Sequence, residues 1–130
     1  MITKWIGAVA LALGLGLVAG GANAAAFQAP AGVKVENGML VNAAGLTLYT
    51  WDNDKEAGKS ACNGMCLMNW PALIANADSA NMGDWTVITR DDGAKQWAYK
   101  GKPLYTFRMD AKAGDVTGDG RGMTWHIAKP

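Results

Sequence analysis

A ten-residue segment of this chain occurs twice. Gly45-Leu46-Thr47-Leu48-Tyr49-Thr50-Trp51-Asp52-Asn53-Asp54 recurs as Gly101-Lys102-Pro103-Leu104-Tyr105-Thr106-Phe107-Arg108-Met109-Asp110. Ala57-Gly58 carries the register on to Ala113-Gly114, and Trp70 falls one place from register with Trp125. A repeat of this length means that one supersecondary unit is used twice. The fold must be something two similar halves can build together, with approximate units at 32–76 and 84–130. Between them Ala77–Gly83, small and polar, reads as the linker.

Within each unit the residues alternate in short runs bounded by turn formers. Val33 and Val35 alternate with polar neighbours, Asn37-Gly38 is a two-residue hairpin signal, and Met39-Leu40-Val41 follows. Leu46–Trp51 is rich in β-formers and is broken by Asp52-Asn53-Asp54. Trp85–Thr89, Gln96–Tyr99, Leu104–Phe107 and Thr124–Ile127 repeat the theme, with Asp92-Gly93 and Lys100-Gly101 as turns. No segment sustains a helical period, although a short helix fits near 61–69. The expected fold is all-β, a small sandwich or barrel of two similar three-stranded repeats. Neither unit is expected to bury its apolar face alone, so the halves should pack on each other.

Residues 1–24 read as an export signal. Lys4 supplies the positive start, Trp5–Ala19 the apolar stretch, and Ala22-Asn23-Ala24 the small residues of a cleavage site. The apolar run is shorter than the roughly 20 residues that span a bilayer, which favours cleavage near Ala24 over retention as an anchor. The expected mature chain, 25–130, is then one domain, soluble in the periplasm or secreted, with no stable membrane anchor. Loss of Lys4 leaves eleven basic and eleven acidic residues. Such a balance offers no basic stripe to phosphate backbones, so nucleic acid is not an expected partner. Five tryptophans, at 51, 70, 85, 97 and 125, give so small a domain a substantial core.

The repeated motif admits two readings. In a strand Tyr49 and Trp51 share one face, as do Tyr105 and Phe107, while Asp54 and Asp110 come where the chain turns. Packing aromatics with an aspartate that ties the turn is one reading. The other is a pair of ligand sites built from Tyr49, Trp51 and Asp54 with Tyr105, Phe107 and Asp110. Duplication favours packing, because a fold element must be repeated while a site need not be.

Between the two Tyr-x-aromatic-x-x-Asp motifs stands Cys62-Asn63-Gly64-Met65-Cys66, followed by Trp70-Pro71. Arg90-Asp91-Asp92-Gly93, Gln96-Trp97 and Trp125-His126 follow in order. This arrangement resembles the bacterial secreted-repeat family, described as predicted lipoproteins with a conserved Yx(FWY)xxD motif. The resemblance covers nearly all of the mature chain and implies an exported two-repeat domain of unassigned biochemical role. No cysteine follows the apolar stretch to accept a lipid, so a soluble form is expected rather than a lipid-anchored one.

Cys62 and Cys66 are the only cysteines and stand in the first unit alone. In an exported chain they are expected to form a disulfide, and Gly64 helps so short a loop to close. A thioredoxin-like site needs Cys-x-x-Cys in a βαβ setting, and haem attachment needs a histidine after the second cysteine; neither is present. A copper site competes, because Met65 and Met68 flank Cys66 and thiolate and thioether ligands suit Cu(I). His126, the sole histidine, would be a further ligand candidate or a plain strand residue. Asp115–Gly122 has the composition of a cation loop without EF-hand spacing, and Ser60 and Ser79 lack a catalytic setting.

These observations converge on a non-enzymatic exported module of the cell envelope, binding a partner or small ligand or supporting the envelope, with no cofactor. The alternative is a periplasmic redox or copper-handling protein centred on Cys62, Met65, Cys66, Met68 and His126.

Overall fold

The structure, a computed structural model, describes residues 27–130; the expected signal at 1–24 lies outside the described residues. In chain order the elements are β1 (Val33–Glu36), β2 (Met39–Asn42), β3 (Tyr49–Trp51), the short helix α1 (Met65–Asn69), β4 (Trp85–Thr89), β5 (Lys95–Tyr99), β6 (Lys102–Pro103), a 3-10 turn at Arg121–Met123 and β7 (Trp125–Ile127). They form three antiparallel sheets, β1-β2, β3-β7 and β4-β5-β6. The described residues are all-β apart from α1 and the 3-10 turn, and their sheets do not close into a barrel. Of the two expected shapes, the open, layered one is found.

Turn chemistry sets the hairpins. Asn37 and Gly38 both have positive φ, 52° and 76°, as a two-residue turn matched to strand twist requires. Lys100 (φ 51°) and Gly101 (φ 83°) do the same between β5 and β6. The first of these turns sets Val35 opposite Leu40, and the second sets Tyr99 opposite Lys102.

The two repeats meet at their tyrosines. Tyr49 N–H donates to the Tyr105 carbonyl at 2.7 Å, and Tyr105 N–H returns the bond to Tyr49 at 3.0 Å. This reciprocal pair relates the repeats by an approximate two-fold, because each tyrosine holds the same place in its own motif. Side chains alternate about it: Leu48 and Leu104 point into one buried cluster with Leu40, Trp85, Trp97 and Tyr99. Tyr49 and Tyr105 point into a second cluster with Cys62, Trp70, Phe107 and Trp125. The period of two along a strand thus serves two cores. Trp70, Trp85, Trp97 and Trp125 are buried, while Trp51 is only half-buried.

The tail of each repeat leaves its own unit and joins the other. Leu73, at the end of the first repeat, donates its N–H to Leu104 and accepts from Trp97 N–H, both at 2.9 Å and both in the second repeat. Ala128, at the end of the second, donates to Leu48 at 2.8 Å and accepts from Leu40 at 2.9 Å, both in the first. Strand β7 accordingly pairs with β3, setting Trp125 opposite Trp51 and Ile127 opposite Tyr49, while Ala72 bridges to Tyr105. The tail segment of each sequence unit is therefore exchanged. Backbone groups that must be paired when buried find their partners only in the other repeat.

A fragment ending at Asn76 should therefore stay unfolded alone. Mixing it with the 77–130 fragment should restore a dispersed amide NMR spectrum. A folded spectrum from the first fragment by itself would show that the exchange is not needed.

Candidate functional site

Two turns place the motif aspartates. Asp54 N–H donates to Trp51 C=O at 3.1 Å and Asp110 N–H to Phe107 C=O at 3.0 Å, so each strand ends in the same three-residue step. One oxygen of each carboxylate then closes a loop within its own repeat. Asp54 Oδ1 accepts from Ala61 N–H at 2.7 Å, and Asp110 Oδ1 accepts from Thr117 N–H at 2.9 Å and from the Thr117 hydroxyl. In both cases the donor lies seven residues on.

The other oxygen crosses to the opposite repeat. Tyr49 OH donates to Asp110 Oδ2 at 2.6 Å, and Tyr105 OH donates to Asp54 Oδ2 at 2.7 Å. Both tyrosines are fully buried. Burial, and next the bond to Asp110, push the Tyr49 phenol well above the usual tyrosine range; burial does the same to Tyr105, partly offset by the Ser60 bond and reinforced by Asp54. Burial also raises the Asp54 carboxyl, against the bonds from Ala61 and Tyr105 and the charge of Arg90. The motif aspartate thus ties its turn, as the sequence implied, and also receives the other repeat's phenol, which the sequence did not reveal.

The surroundings of the two pairs differ. Beside Tyr105, the Arg90 guanidinium is sealed from solvent and donates to Ser60 Oγ at 2.7 Å, Gln96 Oε1 at 2.8 Å, Asn63 Oδ1 at 2.9 Å and the Cys62 carbonyl. A guanidinium only donates and a carboxylate only accepts, so the protons between them have one ordering. Arg90 donates to Ser60, Ser60 to Tyr105 at 2.6 Å, and Tyr105 to Asp54. Around Tyr49 the place of this chain is taken by Gly118, whose N–H donates to Tyr49 OH at 3.2 Å. A Cβ on Gly118 would lie 2.9 Å from the Trp70 ring and 3.0 Å from the Tyr49 ring.

The four aromatic rings next to these pairs stack in the order Trp51, Trp125, Trp70, Phe107. Centroid separations are 5.1, 3.7 and 4.2 Å, with interplanar angles of 9°, 2° and 30°. Trp51 and Phe107 are motif equivalents, as are Trp70 and Trp125, so the stack obeys the same two-fold. Its two ends do not. At the Trp51 end Asp52 Oδ2 lies 2.9 Å from His126 Nε2. At the Phe107 end Arg108 stands where the first repeat has Asp52, and Arg121 lies 4.8 Å over the Phe107 ring.

That second end opens as a cleft of about 480 Å³, walled by Trp70, Trp125, Phe107, Arg108, Arg121 and Asn69, with Met109, Gly122 and Thr124 completing it. This is within the usual range for small-molecule sites. No carboxylate lines it. Among the described residues neither Arg108 nor Arg121 forms an ion pair. Of the six side chains put forward from the sequence as ligand contacts, only Phe107 borders this cleft. Tyr49, Tyr105 and Asp110 are buried in the bonds described above, Trp51 lies at the far end of the stack, and Asp54 borders a separate polar hollow with Lys55, Glu56 and Lys59. The arginines lie outside what the two repeats share, so the repeated motif does not point to them; the contrast of Asp52-Asn53 with Arg108-Met109 is the signal in the sequence.

The cysteines are joined, with Cys62 and Cys66 sulfurs 2.00 Å apart. Both thiolates of the proposed copper set are thereby engaged, Met65 and Met68 are exposed, and His126 is held by Asp52. Among the described residues no group of three His, Cys, Asp or Glu side chains is placed to hold a metal ion.

The chain belongs to the family described as a secreted repeat of unknown function, whose model matches residues 32–74 and again 86–129. No curated protein and no solved structure matches it. The two matched stretches are the two units exchanged across the tyrosine pair, so the repeat of the family is the repeat of this fold.

Gly118→Ala should destabilise the protein by about 1–3 kcal/mol, because Trp70 and Tyr49 are fixed on both sides of the new methyl. Urea unfolding measures this. An unchanged midpoint would mean that the packing around Tyr49 is loose.

Proposed function

We propose that this protein is a non-enzymatic binding module of the cell envelope, exported to the periplasm or beyond, whose ligand contact is the cleft at the Phe107 end of the aromatic stack. One observation carries the reading. The fold is nearly two-fold symmetric, yet the cleft walled by arginines and free of carboxylates lies at the Phe107 end, where Arg108 replaces the acid of the first repeat and Arg121 is added; the cavity beside Asp52 and His126 is lined by lysines together with that acid. A symmetric scaffold with a one-sided site fits a binding role grafted on a duplicated frame.

The polar groups that could otherwise do chemistry are engaged with one another. Ser60 accepts from Arg90 and directs its proton to Tyr105, and each motif tyrosine is bonded to a carboxylate. This supports binding over catalysis. Export is supported by the family's secreted character and by the Cys62–Cys66 disulfide, a bond that persists in oxidising compartments. Copper handling is the weaker reading, since it requires both sulfurs to be reduced first.

An amide NMR titration with an aqueous-methanol extract of bacterial cell envelopes tests this reading. Shifts should concentrate at Asn69, Trp70, Arg108, Gly122 and Trp125, and Arg121→Ala should weaken them at least tenfold. Shifts confined to Asn53–Ala61, or none at all, would oppose it.

A further inference from the structure

We propose that the cleft takes an anionic amphiphile, a phosphate or carboxylate head joined to an apolar chain. The inference rests on the cleft being the binding site and names the class of its ligand.

The polar character of the walls calls for an anion. Arg108 and Arg121 bring two positive charges, no acid lines the cleft, and neither arginine is neutralised by an ion pair among the described residues. Guanidinium groups match phosphate and carboxylate geometry through paired N–H donors. Trp70 and Trp125 add to this. They are 7 % and 5 % exposed and line the cleft, and neither indole N–H bonds to an acceptor among the described residues. Trp51 and Trp85 each donate to an oxygen, whereas Trp97, buried away from the cleft, likewise has no acceptor for its indole N–H among the described residues.

The rim calls for an apolar chain. Met109, which lines the cleft, and Met123, which stands in sequence between the lining residues Gly122 and Thr124, are 59 % and 86 % exposed. Met123 also has φ of 59°, a left-handed conformation that a methionine adopts only when its surroundings impose it. The Gly120–Met123 turn therefore sets Arg121 and Gly122 in the cleft wall and leaves the adjoining Met123 side chain exposed. Thioethers are flexible and polarisable, suited to an alkyl chain of variable shape. A bare anion would use the arginines and leave this rim without a purpose. A neutral apolar ligand would leave both guanidinium charges without a counter-charge, Arg121 having only the Thr117 carbonyl and the Phe107 ring.

Four probes separate these cases by intrinsic tryptophan fluorescence and amide shifts. They are dihexanoylphosphatidic acid kept below its micelle concentration, decanoate, glycerol 3-phosphate, and dihexanoylphosphatidylcholine. Phosphatidic acid, decanoate or both should bind at the cleft at least tenfold more tightly than the head-only phosphate and the zwitterionic lipid. The first two compare a phosphate with a carboxylate head, and preference for either supports the class. The double variant Arg108→Ala/Arg121→Ala should lose at least tenfold. Met123→Asn keeps a residue that tolerates left-handed backbone and should weaken the amphiphile several-fold without affecting glycerol 3-phosphate. Both variants should melt near the parent temperature, since all three side chains are exposed.

Equal binding of glycerol 3-phosphate would overturn the amphiphile in favour of a plain anion site. Equal binding of the phosphatidylcholine would overturn the need for charge. If no probe shifts the cleft but the envelope extract still does, the ligand class is wrong and the binding reading stands. If neither shifts it, both are wrong.

Discussion

Everything in this fold is referred to one reciprocal contact, the crossing of each motif tyrosine to the aspartate of the other repeat. A phenol buried among aromatic rings must find an acceptor, and a carboxylate at the edge of a core must find donors. Asp54 and Asp110 meet both needs at once, with one oxygen closing the local loop and the other receiving the distant phenol. Hydrogen bonds to charged groups are worth about 1.5–3 kcal/mol each. Two of them across the approximate two-fold lock the halves in one relative position. The exchanged tails and the four-ring stack then follow, since each brings the same groups of the two repeats face to face.

Much of this was legible from the residues. The duplication announced two similar units, the paired Asn37-Gly38 and Lys100-Gly101 announced hairpins, and the spacing of Tyr49 and Trp51 placed them on one face. Loop 61–69 was expected to hold a short helix, and Met65–Asn69 is one. The exchange was not legible. Trp70–Ala75 and Trp125–Ala128 look alike whether they pair at home or abroad, because periodicity reports which face is buried and not whose strand lies alongside. For the same reason Asp54 was readable as a turn residue but not as the acceptor for Tyr105, 51 residues away.

The departures from symmetry bear on function. A duplicated scaffold repeats what the fold requires, so the positions free to differ are those the fold does not need. Arg90, Ser60 and the Cys62–Cys66 loop occupy one side of the tyrosine pair, where a buried cation is held by neutral oxygens and by the Asp92 carboxylate at 3.4 Å, and is linked through two hydroxyls to Asp54. Breaking so buried a network leaves an uncompensated charge, which makes it a structural lock. Gly118 occupies the other side, where Trp70 and Tyr49 leave no room for a side chain. The arginine pair at the Phe107 end is different in kind. It is exposed, makes no ion pair among the described residues and borders open space, which is what the proposed binding role requires.

The most direct test of the crossed contact is a double-mutant cycle on unfolding free energy. Tyr49→Phe combined with Asp110→Asn, and Tyr105→Phe combined with Asp54→Asn, should each give a coupling of about 1–3 kcal/mol. Tyr49→Phe combined with Asp54→Asn, within a single repeat, should give a coupling well below that. Coupling that is strong within a repeat and absent between repeats would contradict the account.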